Sequence, residues 1–443
     1  MKDDKYFFNY SQEPGREKNK LILKSNKKPL VSIITSYYNG NEFMDQTINC
    51  VLNQTFPYWE WIIVDDGSTK EDSIEYLKRI EEIDDRIHIY HKENGGLATG
   101  RDYAIKYATT DYILPLDSDD LIEKTFIETL YWTMETNKDA TWSYASDVGF
   151  GKWLYVSDKK FDSELMKTEN HITATSLIRK ERILELNGYS VAKRYVNEDW
   201  HLWLRMLQKG YYPVKVNFYG FWYRRKKESL LTRINDEKNE ENKLRLRDLK
   251  IEADKIKNKV SAKMYPIDET EEKENKKEEK NRKEVKNKKE KVNIYDERFD
   301  LDGKTTNLYI IKYVKTNKKL VKLLKKNTDY NSIIVSIEKN NKSQYVYRQE
   351  IEKYGTYYDL TSFLDKCYYK DFIEYLHKKY RIDNVYVEEG LDVSDCLDKK
   401  SCRELDYKDN ESLYKFKIFV YKFNHLLPIR AIRKFGRKII GKE

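Results

Sequence analysis

The sequence predicts an α/β protein: a Rossmann-like, mostly parallel sheet in the first half, then a charged linker, then a smaller α/β domain. Three observations predict it. Short apolar runs alternate with helical stretches from residue 30 onward. Three of the first four runs end in polar clusters, as strands do when a ligand sits beyond their carboxyl ends. A stretch of nearly pure Glu, Lys, Asn and Arg, 266–292, then separates this region from a second set of apolar runs.

Residues 1–29 read as a polar leader broken at Pro14-Gly15. Val31-Ser-Ile-Ile34 is the first strand and stops at the turn signal Tyr38-Asn39-Gly40. A helix follows to Gln54, and Trp59–Val64 is the second strand. It ends in Asp65-Asp66-Gly67-Ser68, with Ser68 or Thr69 as the N-cap of the next helix. Arg86–His91 and Tyr112–Leu116 supply two more strands. The first domain spans 30–235, and 236–265 reads as a charged helical extension. The mixed-sign linker 266–292 cannot bury a core. Within 293–400 the strands are Leu308–Ile311, Ile333–Ile337 and Val385–Val387. The tail, 401–443, mixes apolar residues with Arg430, Arg433, Lys434, Arg437 and Lys438 over 411–443. It reads as a basic amphipathic helix suited to an anionic membrane surface.

A chain of 443 residues has room for about three domains. Its 84 Lys and Arg against 75 Asp and Glu leave a formal charge of +9. The linker lysines are interleaved with glutamates and form no basic stripe, which argues against a nucleic-acid partner. Four cysteines without a Cys-x-x-Cys pair suit a reducing compartment. No apolar h-region opens the chain and no run of about 18 apolar residues crosses a bilayer. The expected location is the cytoplasm, peripheral on the inner face of the plasma membrane.

The chemistry concentrates in Leu114-Pro-Leu-Asp117-Ser-Asp119-Asp120, an apolar strand end carrying three carboxylates. Aspartates spaced by one residue at a strand tip suit a hard cation, which takes one or two carboxylates plus substrate phosphates. Around this run, Val31–Asn39, Gln54-Thr-Phe56, Ile63-Val-Asp-Asp-Gly-Ser-Thr69, Asn94-Gly-Gly-Leu-Ala-Thr-Gly-Arg101 and Asn197-Glu-Asp-Trp-His-Leu-Trp-Leu-Arg205 stand in order. Together these blocks resemble a family 2 glycosyltransferase of the GT-A fold, over residues 30–235.

The resemblance implies inverting transfer of a sugar from a nucleotide-sugar donor, usually a UDP-sugar, to a glycan or lipid-linked acceptor. It implies nucleoside contacts from Ser36 and Tyr38, a hydrogen bond from the base to Asp66, and Asp65 beside it in the donor site. It places Arg101 near the donor phosphates, with Asp102 where the family more often has Asn. Asp117 and Asp119 match the metal pair for Mg²⁺ or Mn²⁺, with Asp120 an alternative to Asp117. Asp199 matches the general base, with Glu198 assisting or capping a helix. Trp200 and Trp203 are candidates to stack on acceptor sugars, and the helical spacing of Trp203 suits the core at least as well. One departure bears on the metal. Where the family often ends Tyr-Arg-x-His-x-x-Ser, this chain reads Tyr223-Arg-Arg-Lys226-Lys-Glu-Ser229. A charged lysine pairs with phosphate and is no metal ligand, so metal dependence is open while transfer is not.

Tyr358–Leu364, Tyr368–Leu376 and Arg381–Val387 resemble the first half of a GT-B glycosyltransferase, without the second Rossmann half. That reads as a non-catalytic unit binding acceptor, a partner or the first domain. Two other functions compete. A nucleotidyltransferase needs a Gly-rich basic loop after the first strand, which Ser36–Gly40 lacks. An inactive GT-A scaffold is opposed by the presence of both Asp119 and Asp199.

Overall fold

Apolar runs that can be buried on both faces build the parallel half of the larger sheet. In this computed structural model the described residues are 8–16, 22–189, 197–227, 240–267, 289, 291–314, 318–340, 345–388, 390–394, 396–397, 402–406 and 416–421. The first four strands are β1 (Val31–Tyr37), β2 (Trp59–Asp65), β3 (Ile87–His91) and β4 (Tyr112–Pro115). They lie parallel in the order β3-β2-β1-β4, with Val31 opposite both Trp59 and Tyr112. The crossovers are α1 (Asn41–Leu52), α2 (Glu71–Glu81) and α3 (Leu97–Tyr107).

After β4 come β5 (Leu121–Ile122), α4 (Phe126–Glu135), β6 (Trp142–Gly151), β7 (Tyr155–Ser157) and β8 (Leu177–Arg179). Then follow α5 (Lys180–Glu185), α6 (Glu198–Gln208), β9 (Pro213–Arg225), α7 (Glu240–Asp254) and β10 (Lys263–Met264). The sheet continues from β4 through β8, β6, β9 and β10, with β8 antiparallel to both of its neighbours. The short β5 pairs antiparallel with β9, Leu121 opposite Trp222. That ladder sets the turn Asp117–Asp120 against the end of β9.

Two expectations need correction here. Ser68 and Thr69 do not cap α2; Lys70 occupies the N-cap and its side chain makes no capping bond. The reason lies in Asn39, which adopts a left-handed backbone (φ 49°). Its side-chain oxygen accepts from the N–H groups of Thr69 and Lys70, and its own N–H donates to the Ser68 hydroxyl. The extension 236–265 is helical only over Glu240–Asp254 among its described residues, and Lys263–Met264 is an edge strand beside β9.

The second sheet holds β11 (Thr306–Ile311), β12 (Asn331–Ser336), β13 (Thr356–Asp359), β14 (Asn384–Glu388), β15 (Cys402–Asp406) and β16 (Phe416–Tyr421). Its order is β13-β12-β11-β14-β16-β15, parallel through β14 and antiparallel beyond. The sheet thus runs past residue 400. Residues 416–421, expected within a helical tail, pair with β14 instead. The remainder of 411–443, with the basic residues that motivated a membrane contact, lies outside the described residues.

The units meet across α4. Every residue of this helix is buried, because one face packs on the larger sheet and another on the second unit. Trp132 packs edge-on against Phe372, with centroids 5.0 Å apart, and the Thr133 hydroxyl donates to the Phe363 carbonyl. Among the described residues no helix is long and apolar enough to cross a membrane.

Candidate active site

Parallel strands place their carboxyl ends on one edge, and there the sequence motifs converge. At the tip of β1, Tyr38 is half exposed and Ser36 half-buried. Gly100, in the first turn of α3, approaches Ser36 so closely that a Cβ there would lie 2.1 Å from its hydroxyl oxygen. Only glycine lets the helix start this near the strand.

Asp65 and Asp66 are both buried at the tip of β2. Asp65 accepts the Ser68 N–H at 2.9 Å and faces the His91 ring at 3.1 Å. Asp66 accepts from Lys92 and from the N–H groups of Gly95 and Gly96, at 2.5, 2.9 and 2.7 Å. The expectation that Asp66 grips a base therefore needs correction. Its carboxylate is spent on shaping the loop that opens α3.

Arg101 also departs from expectation. Its guanidinium is buried, with one nitrogen 2.8 Å from Asp117 Oδ1 and another bonded to Glu198 Oε1. A planar fork suits such a bridge between two carboxylates. It fastens the tip of β4 to the start of α6. Asp102, beside it, accepts the Tyr189 N–H at 2.7 Å and steadies the turn ahead of α6.

The carboxylate run divides. The Asp117 side chain is 36% exposed and that of Asp119 24%, whereas Asp120 is buried. Asp120 accepts the Arg224 N–H at 2.8 Å, and burial beside Asp119 and Asp117 drives its carboxyl well above the usual range. It is a strut between the turn and β9, which removes it as an alternative ligand. Asp119 pairs with the Lys226 ammonium at 2.5 Å.

Opposite, α6 begins at Glu198 and presents Glu198 and Asp199 in its first turn, where the helix dipole favours negative charge. Burial lifts both carboxyls, Glu198 to about 7, and Arg101 pulls each back down. Asp199 Oδ2 accepts from the Asn170 amide at 2.9 Å. Asn170 was missed by sequence reasoning, since nothing in a polar loop marks a partner 29 residues downstream. A carboxylate whose pKa is raised by burial and which one amide orients is a stronger base than a free aspartate.

The two tryptophans do not lie open to a sugar. Trp203 is fully buried and stacks on Trp142, with centroids 5.0 Å apart. Its helical spacing served the core, so its acceptor assignment is withdrawn. Trp200 is buried with its indole N–H committed to the Met166 carbonyl.

A divalent cation fits this donor set poorly. Among the described residues there is no group of three or more His, Cys, Asp or Glu side chains that could hold one, so a cation here would draw its other donors from substrate phosphates. Asp117 and Asp119 each already carry a cationic partner.

Comparison with known proteins agrees with the motif reading. The model of glycosyl transferase family 2 matches residues 32–192. TuaG of Bacillus subtilis, named for teichuronic acid biosynthesis, is 32% identical over 200 residues, covering 44% of this chain and 78% of TuaG. The chain belongs to the family 2 glycosyltransferases. The transferase is also 29% identical over 193 residues to WbnJ of Escherichia coli, named as an O-antigen biosynthesis glycosyltransferase. That match covers 41% of this chain and 72% of WbnJ. Staphylococcus aureus TarS, solved with UDP-GlcNAc, aligns over 50% of this chain and 71% of that one. Its TM-score is 0.39 at 16% identity.

Proposed function

We propose that this transferase moves a sugar from a nucleotide-sugar, of the UDP class, to an acceptor hydroxyl with inversion at the anomeric carbon. The product belongs to a cell-surface polysaccharide or glycoconjugate, in keeping with the names of TuaG and WbnJ. The observation that carries the reading is the bridge of Arg101 between Asp117 and Glu198. It draws the strand tip that faces a donor and the helix start that carries a base to opposite ends of one guanidinium.

In a single displacement, the acceptor oxygen forms a bond to the anomeric carbon while the bond to the diphosphate oxygen breaks. The electron pair leaves with the diphosphate, and the acceptor proton passes to Asp199. Asn170 orients that carboxylate. Ser36, Tyr38 and the Asp65 loop border the nucleoside end, with Asp66 and Arg101 behind them. Acceptors of glycan or lipid-linked type are the class to test, at the cytoplasmic face of the membrane.

The test is a screen for nucleotide release from a panel of nucleotide-sugars, with Asp199→Asn beside wild type. Release from one donor that the variant abolishes supports the reading. Release that Asp199→Asn leaves untouched removes Asp199 as the base.

A further inference from the structure

We propose that Lys226 takes the place of a divalent cation in this transferase, holding the donor diphosphate and offsetting its charge as it departs. The proposal rests on the reading of the cleft as a nucleotide-sugar site.

The backbone fixes the lysine's position. The β5–β9 ladder holds the turn after β4 against the end of β9, and Arg224 bolts them together. Its N–H donates to Asp120 Oδ1 at 2.8 Å and its Nε to the Asp119 carbonyl at 2.7 Å. Lys226, the first residue beyond the end of β9, meets Asp119 Oδ2 at 2.5 Å.

The charge arithmetic then disfavours a metal. A small divalent cation demands close, near-octahedral oxygen donors at about 2.0–2.1 Å. Here it would have to part Lys226 from Asp119 and Arg101 from Asp117, then sit beside both displaced positive charges. An ammonium already in place needs no such exchange. Asp119 uses one of its three N–H donors, and the ammonium lies 5.1 Å from the centre of the Phe43 ring. The side chain is 36% exposed, which leaves donor capacity for a ligand. As the glycosidic bond breaks, the electron pair settles on the diphosphate oxygen. The lysine meets that charge with hydrogen bonds and needs no proton transfer to do so. Asp119 thereby becomes a positioning residue for Lys226.

The test is calorimetric titration of UDP into the full chain, in excess EDTA and again with Mn²⁺. Wild type, Lys226→Ala and Lys226→His are compared, with a thermal melt establishing that each is folded. Electron paramagnetic resonance of Mn²⁺ reads ion binding independently of turnover. The expected result is a wild-type affinity that agrees within about twofold in the two solutions. Lys226→Ala is expected to lose about tenfold or more in EDTA, the worth of a charge-assisted contact. Lys226→His is expected to bind UDP only with Mn²⁺ and to immobilise the ion.

A wild-type affinity that collapses in EDTA, with Mn²⁺ immobilised by wild-type protein and UDP, overturns the proposal and leaves the donor site standing. So does a folded Lys226→Ala that binds UDP as wild type does in EDTA. No UDP binding by wild type in either solution overturns the UDP donor reading itself, and the lysine's role with it.

Discussion

Glu128 and Lys379 form an ion pair closed to water on both sides, each side chain fully buried, across the boundary between the two units. The Tyr358 and Tyr375 hydroxyls and the Thr55 hydroxyl donate to the same carboxylate, which satisfies its remaining acceptor positions. Removing one partner leaves a buried charge uncompensated. Lys379→Met is therefore expected to lower stability by about 3–5 kcal/mol, read from the urea midpoint. The double change with Glu128→Leu recovers much of that loss. Lys378→Met, next door but exposed and paired with Asp296, should fall within about 0.5 kcal/mol of wild type.

Glu198 gives a pH dependence whose sign can be worked out. Burial raises its carboxyl from 4.5 to about 7, so over that interval the folded chain holds a proton that the unfolded chain releases. Its contribution to stability is fully present below pH 4.5 and is lost as pH rises through about 7. Wild type should lose Tm relative to Glu198→Gln across this window and stay below it by a constant offset at higher pH. A constant difference at every pH would refute the assignment.

Asn170 orients Asp199 and favours its charged form. Asn170→Ala should shift the acid limb of kcat/KM to higher pH and lower kcat by about tenfold, with KM for the donor little changed. Asp199→Asn removes the proton acceptor and should cost about 10²–10⁴ in kcat while UDP binding persists.

Trp203 separates packing from recognition. Trp203→Ala should cost about 3–5 kcal/mol of stability by opening a cavity beside Trp142. Trp203→Phe keeps much of the volume and should retain the acceptor KM. A raised KM with unchanged Tm in the Phe variant would return this residue to the acceptor site.

The parallel strands and the motif positions were legible because each is local. An apolar run ending in Asp65-Asp66 or Asp117–Asp120 declares both a strand and its tip. What the sequence hid were contacts made only on folding. Arg101 reads as a phosphate ligand until its fork closes on Asp117 and on Glu198, 97 residues away. Trp203 sits three residues from Trp200, a spacing equally apt for a sugar platform or a core stripe. α4 carries Glu128, Thr129, Thr133 and Glu135 and has the pattern of a helix with a wet face. It is dry all round because partners from elsewhere in the fold meet those groups: Lys379 meets Glu128, while the Tyr112 hydroxyl, Lys138 and the Asn293 N–H meet Glu135.

That dry helix also limits how this chain can be reshuffled. α4 gives a face to each unit, so the catalytic half has no finished exterior along that side. Cutting it free would bare Trp132 and leave the Glu128 carboxylate with the Thr55 hydroxyl alone of its present donors. The companion unit is thus a structural part of this transferase, because it finishes the surface of α4. A recombinant carrying a different second half would need a replacement for Lys379 and its two tyrosines before it could keep the first.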